Sequence, residues 1–148
     1  MRIIVQRVNY ASVSIDDKIY SKIDNGLLLF VGFTQNDTRA ICEKLAIKVA
    51  GLRIFEDDQG KMNLALADTS GEILSVSQFT LYANCKKGRR PSFEQALNPE
   101  QALLLYEYFN TYLRELNIKV ETGVFQADMK VNLMNDGPVT IILDSESL

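Results

Sequence analysis

The chain has 148 residues, of which 47% are hydrophobic and 24% charged, and its formal net charge is −3. That length is enough for one domain with a full core, and the acidic balance excludes a protein that coats nucleic acid over a wide area, which needs a basic footprint. Histidine is absent, so Ser-His-Asp and Cys-His catalysis are impossible within the chain and the commonest metal ligand is missing.

No apolar run reaches the roughly 18 residues of a membrane span. The N-terminal stretch lacks the apolar region and small-residue cleavage site of a signal peptide. Cys42 and Cys85 stand far apart and in no metal-ligand spacing, which reads as two reduced thiols. A cytoplasmic protein with no membrane partner, no metal and no cofactor is expected.

In chain order, RIIVQRVNYASVSID holds two β-rich runs, DDK a turn and IYSKI a third short run. The turn Asp24 to Gly26 leads into LLLFVGF, whose near-continuous apolar character is that of a strand buried on both faces. A helix follows, capped by Asn36 or Asp37, with Ile41, Leu45, Ala46, Val49 and Leu52 at helical spacing. RIFEDDQGKMN reads as strand, turn at Asp58 to Gly60, strand. GEILSVSQFTLYA reads as one long strand, and NCKKGRRPSF as a basic loop.

The second helix opens at Asn98, with Pro99 at its first position and Gln101 as the capping-box partner. Ala102, Tyr106, Phe109, Leu113 and Leu116 form its apolar stripe. Strands are expected around IKVET, FQADMKVNLM and VTIILD, with fraying beyond Asp144. This order, with about nine or ten strands and two helices, is not a βαβα alternation. It predicts a single α+β domain over residues 1–148 with a curved, barrel-like, mostly antiparallel or mixed sheet. No Gly-rich strand–helix turn supports a dinucleotide-binding fold.

Three stretches could carry chemistry. In SVSQFTLYA, strand alternation puts Ser75, Ser77, Phe79 and Leu81 on one face and Val76, Gln78, Thr80 and Tyr82 on the other. The ordinary reading is a strand with locally bonded hydroxyls. The functional one is a pocket-lining strand end, with Ser77 or Thr80 as hydroxyl and backbone N–H groups as donors. In KKGRRP, Lys86, Lys87, Arg89 and Arg90 are either a solvated loop or a phosphate-binding loop in which Gly88 allows close approach. In NDGPVT, Asp-Gly between apolar runs signals a hairpin, yet Pro138 lacks a ladder donor. A trans Gly137–Pro138 bond is the commoner case. A cis bond would reverse the chain and turn two carbonyls the same way.

The pair SQFTL (Ser77 to Leu81) and NDGPVT (Asn135 to Thr140), with LRIFED, GKMN, KGRRPSF, TGVF and ADMKV in the same order, resembles the D-aminoacyl-tRNA deacylases of the D-Tyr-tRNA deacylase type. The resemblance covers essentially the whole chain. It implies that family's fold and a metal-free homodimer. It also implies hydrolysis of the ester joining a D-amino acid to the 3′-terminal adenosine of tRNA, clearance of glycyl-tRNA(Ala), and sparing of L-aminoacyl-tRNA. On this resemblance Ser77, Gln78, Phe79 and Thr80 line the catalytic pocket, with Met129 near it. Gly137–Pro138, as a Gly-cisPro gate, enters the partner's active site, and Lys86, Lys87, Arg89 and Arg90 contact phosphates of the tRNA end. Neither DNA nor a membrane is an implied partner. Two other readings stand beside it: a non-catalytic module that binds the tRNA end, and an esterase of small substrates using Ser77 or Thr80.

Overall fold

The computed structural model describes residues 1–148. Six of the eight strands form a mixed, nearly closed barrel-like sheet, the other two a separate hairpin, and both α-helices pack on one side of the large sheet. Strand β1 (Arg2–Ile15) turns at Asp16–Asp17 into β2 (Lys18–Ile23), and β3 (Gly26–Gly32) follows. Both aspartates have positive φ, 48° and 59°, as a tight hairpin turn that matches strand twist requires. The two β-rich runs expected at the N-terminus are one strand. Its first half pairs antiparallel with β3 and its second half with β2, so a change of partner replaces the expected break.

Helix α1 (Arg39–Ala50) is capped by Thr38, whose hydroxyl accepts from the Ile41 N–H at 3.4 Å. Neither Asn36 nor Asp37 caps it. The Asp37 carboxylate is taken by the Met1 ammonium and by the Thr34 N–H at 2.7 Å. The short strands β4 (Phe55–Glu56) and β5 (Met62–Leu64) form the expected small hairpin. Strand β6 (Glu72–Ser77) then runs parallel to β3, and β7 (Val120–Thr122) parallel to β6.

The long strand expected from Gly71 to Ala83 stops at Ser77, and Phe79–Tyr82 form a 3-10 turn. The reason is its neighbour: β3 ends at Gly32, and the Gln78 N–H makes its bond to the Val31 carbonyl at 2.8 Å. Beyond that point no ladder remains, so the period-2 alternation of Phe79, Thr80, Leu81 and Tyr82 does not hold.

Helix α2 (Pro99–Glu115) starts as expected, with Asn98 Oδ1 accepting from the Gln101 N–H at 3.1 Å. Gln101 meets the Asn98 side-chain amide at 2.7 Å rather than its backbone N–H. The Tyr106 hydroxyl donates to the Ser75 carbonyl at 2.7 Å and pins the helix to β6. Strand β8 (Lys130–Asp144) pairs antiparallel with β1 along its length, and Gly137–Pro138 lies inside it. Two strands expected around NDGPVT are therefore one, and the count is eight rather than nine or ten. The segment after Asp144 is not frayed: the Ser145 N–H donates to the Met1 carbonyl at 2.9 Å, and its hydroxyl accepts from the Met1 ammonium at 2.6 Å.

The core has two parts. Ile3, Val5, Leu27, Leu29 and Val31 face the helices and pack with Leu45, Val49, Phe109 and Leu113. Val8, Val13, Leu28, Leu74 and Val76 face the other way, into the barrel. LLLFVGF is thus buried on both faces because helices cover one and the curled sheet the other. The Ser21 hydroxyl donates to the Thr122 carbonyl at 2.8 Å, which brings β2 back against β7.

Candidate active site

Parallel β3 and β6 end side by side, and a cavity of about 730 Å³ opens at their carboxyl ends, the place where ligands enter many sheets containing parallel strands. Gly32 and Ser77 form its floor, the start of α2 at Asn98 and Pro99 one wall, and residues 125–129 another. Gly32 is needed there: a Cβ would stand 2.9 Å from the Gln78 carbonyl and 3.1 Å from Leu81 Cβ.

Ser77, Gln78 and Phe79 line this cavity, and Thr80 stands outside the lining. The Thr80 hydroxyl accepts from the Gln78 side-chain amide. The 3-10 turn makes its first hydrogen bond from the Leu81 N–H to the Gln78 carbonyl, at 3.3 Å. The N–H groups of Phe79 and Thr80 precede that bond and are not used by the turn. This short turn, which replaces the expected strand, leaves two consecutive backbone donors unpaired, the first of them on a lining residue.

Met129 lines the opposite wall. Its sulfur lies against Gly123, where a Cβ would meet it at 2.5 Å, so Gly123 makes room for the methionine. Phe125 and Phe93 are also in the lining. Phe93 meets Phe79 edge-on, with ring centroids 5.0 Å apart and planes at 65°. The sequence reading assigned neither ring a role. Phe93 sits next to the basic stretch, and only the fold brings it to Phe79.

Asp128 is the one ionisable residue in the lining, and its carboxylate is exposed and paired with Lys130 at 2.9 Å. Tyr82, at the end of the turn, has its phenol pushed up by burial, then by the charges of Asp37 and Asp144, so it stays protonated at neutral pH. No group of three or more His, Cys, Asp or Glu side chains is placed to hold a metal ion. The cavity therefore offers hydrogen-bond donors and apolar rings, and its one carboxylate, Asp128, is exposed and engaged with Lys130. It can bind and polarise a carbonyl, and the substrate or water must supply the attacking group.

Gly137 and Pro138 do not line the cavity of their own chain. They lie in a bulge where one residue of β1, Arg7, faces Asp136 to Val139 of β8: Gln6 pairs with Thr140 and Val8 with Asn135. The bulge answers the problem of Pro138, since the ladder makes no demand on its nitrogen. The Gly137–Pro138 bond is cis, and Gly137 has φ of +122°. Asn135 closes the base of the bulge, accepting from the Val139 N–H at 2.9 Å and donating to the Thr140 hydroxyl at 3.1 Å. Arg7 fills the inside. It donates to the Ile54 carbonyl at 2.6 Å and to the Asp136 carbonyl at 3.2 Å, and pairs with the Asp136 carboxylate at 3.2 Å. An arginine inside the apolar run RIIVQRV is the signal the sequence carries; its burial and what it holds are visible only in the fold.

Lys86, Lys87, Arg89 and Arg90 are all exposed, on a loop closed at its base by paired Asn84 and Ser92. Their ammonium and guanidinium groups make no ion pair within the chain. The loop follows the 3-10 turn directly and returns to the cavity wall through Phe93.

A family model described as D-Tyr-tRNA(Tyr) deacylase matches residues 4–144. A D-aminoacyl-tRNA deacylase of Thermotoga petrophila is 56% identical over 148 residues, spanning 100% of this chain and 99% of that protein. One of Brevibacillus brevis is 57% identical over 145 residues, spanning 98% and 100%. Among solved structures, a protein titled c-Myc DNA Unwinding Element Binding Protein superposes with a TM-score of 0.92 at 39% identity, over 97% of this chain and 98% of that one. A probable eukaryotic D-amino acid tRNA deacylase superposes with a TM-score of 0.83 at 18% identity, a likeness of fold.

Proposed function

From a chain that belongs to the D-Tyr-tRNA(Tyr) deacylase family, we infer a hydrolase that cleaves the ester of D-aminoacyl-tRNA to free tRNA and a D-amino acid. The observation that carries this reading is a cavity bordered by two consecutive unpaired backbone donors, Phe79 in its lining and Thr80 beside it, with an exposed, Lys130-paired Asp128 as its one carboxylate. An aminoacyl ester is already activated, and the neighbouring 2′-hydroxyl of the terminal ribose can assist attack at the carbonyl. The protein then has to position the ester and hold the developing oxyanion, where one donor is typically worth about 3–4 kcal/mol of barrier. Gln78 and Ser77 orient the acyl group and Met129 borders it. Thr80 positions Gln78 and is not the nucleophile, because nothing beside it can take its proton.

Selection against L-aminoacyl-tRNA is assigned to a two-fold dimer in which Gly137 and Pro138 of the partner subunit enter the cavity. Their backbone occupies the side on which an L side chain projects. Glycine has no side chain to exclude, so glycyl-tRNA(Ala) is also a substrate. Two features support this. Gly137 and Pro138 are exposed and lie away from their own cavity's lining. Strand β8 pairs only with β1, and its Met134 and Ile142 are exposed, an apolar surface of the kind a second copy covers. The basic loop holds phosphates near the tRNA 3′ end, which lets an acidic protein take an RNA substrate. A cytoplasmic location goes with that substrate.

The test is incubation with D-Tyr-tRNA and L-Tyr-tRNA. The half-life of the D ester should shorten by orders of magnitude while the L ester decays at its spontaneous rate. An unchanged D-ester half-life with tight tRNA binding would favour the non-catalytic module instead.

A further inference from the structure

Phe79 is 58% and Phe93 38% exposed, yet both belong to the cavity lining. Two apolar rings at the mouth of a cavity, edge to face, leave ring surface in water that a folded chain ordinarily covers. Their positions are held. Segment 93–97 is tied to the end of β3, with the Leu97 N–H donating to the Phe33 carbonyl at 2.9 Å and the Thr34 hydroxyl to the Gln95 carbonyl at 2.6 Å. On the other side, Phe93 directly follows the Asn84–Ser92 pair that closes the basic loop. The ring thus stands between the cavity and the four free cations.

We propose that Phe93 is a stacking platform for the base of the nucleotide that precedes the esterified terminal adenosine. The proposal rests on the deacylase reading, and deepens it. If the cavity takes the aminoacyl ester and its nucleoside, and the loop takes backbone phosphates, the strand between them crosses Phe93. The 3′ end of tRNA is unpaired, so this base has a free face. Single-stranded nucleic acid is commonly held by alternating such rings with cations, and every base has a face to offer. The edge-to-face contact with Phe79 fixes the tilt of Phe93, with planes at 65°, and 38% of Phe93 remains open to solvent. The consequence is that substrate length is read at one side chain: the penultimate base raises kcat/KM through Phe93, and the ester alone does not use it.

The experiment uses D-alanyl esters of three acceptors: adenosine, the dinucleotide cytidylyl-adenosine, and the same dinucleotide with an abasic site in place of cytidine. An alanyl group has no ring to compete for Phe93. For the wild-type protein, kcat/KM should be at least about fivefold higher with the cytosine present than with the abasic dinucleotide, the low end of base–aromatic stacking. Phe93→Ala should lose that ratio whatever its rate on the adenosine ester, with its urea midpoint and residual cleavage of that ester reporting an intact fold. Phe93→Tyr, which keeps a ring, should retain the ratio. An equal ratio in wild type and Phe93→Ala, or no ratio in wild type, overturns the proposal and leaves the deacylase reading standing. If the wild-type protein cleaves none of the three esters nor D-Tyr-tRNA, the deacylase reading itself fails.

Discussion

Replacing Arg7 with methionine should destabilise the protein by about 3 kcal/mol and loosen the Gly137–Pro138 bulge. The Arg7 side chain is 6% exposed and makes one short bond to the Ile54 carbonyl and two interactions with Asp136, with Glu56 at 3.8 Å. A hydrogen bond to a charged group contributes about 1.5–3 kcal/mol, and removing one member of a buried ion pair costs about 3–5 kcal/mol. Methionine fills most of the volume, and the Asp136 carboxylate is exposed enough to rehydrate, so the lower end applies. The buried Ile54 carbonyl is left without this donor. Arg7→Lys keeps the charge and loses the fork, since one ammonium on a flexible stem cannot span Ile54 and Asp136 in the same geometry; about 1–2 kcal/mol is expected. Urea midpoints at fixed protein concentration measure both, and hydrolysis of D- and L-Tyr-tRNA by the folded variants measures the second effect. The D-over-L ratio should fall for Arg7→Met more than the D rate does. A methionine variant within about 0.5 kcal/mol of wild type, with its D-over-L ratio intact, would refute the tethering role of Arg7.

Gly137→Ala should be folded but impaired in discrimination, because a Cβ would sit 2.9 Å from Val139 Cγ2 and 3.0 Å from the Arg7 guanidinium at a φ of +122°; a cost of about 1–3 kcal/mol is expected, read by urea unfolding beside the D/L assay. Thr80→Ala should keep substantial deacylase activity, whereas a substrate whose terminal 2′-hydroxyl is replaced by hydrogen should be cleaved far more slowly; the reverse result would make Thr80 a nucleophile. Gly26→Ala should cost about 3 kcal/mol or more, since its Cβ would overlap the Glu72 carbonyl at 1.9 Å across the β3–β6 pair, and a circular-dichroism melt close to wild type would contradict that packing. Burial pushes the Asp144 carboxyl up, but the Arg2 hydrogen bond and charge and the Glu146 N–H outweigh it and hold the group below its ordinary value of 3.8. A depressed carboxylate contributes stability that is present above 3.8 and disappears as pH falls through the folded value. Wild type should therefore lose more stability than Asp144→Asn in that acid range, and parallel urea midpoints for the two would exclude the Arg2–Asp144 contribution.

Local chemistry along the chain was enough for much of this protein. The apolar period of Ala102, Tyr106, Phe109 and Leu113 specified α2, and Asn98 with Pro99 specified where it starts, because capping uses only neighbouring atoms. The unbroken apolar run at Leu27–Val31 announced a strand covered on both sides. Ser77, Gln78, Phe79 and Met129, marked by the family resemblance rather than by local chemistry, line one cavity, and Thr80, marked with them, stands outside its lining.

What the sequence left open depends on neighbours distant along the chain. Asp37 is a good cap by type, yet the Met1 ammonium claims its carboxylate and Thr38 caps instead. Phe79 to Tyr82 alternate like a strand, yet β3 ends first and the chain turns, which is what exposes the Phe79 and Thr80 donors. Asp136-Gly137 is a hairpin turn by local rules, yet both flanking segments stay paired with β1, so the surplus residues bulge over Arg7. Ladders, ion pairs and bulges each need a partner tens of residues away, and only the folded sheet supplies it.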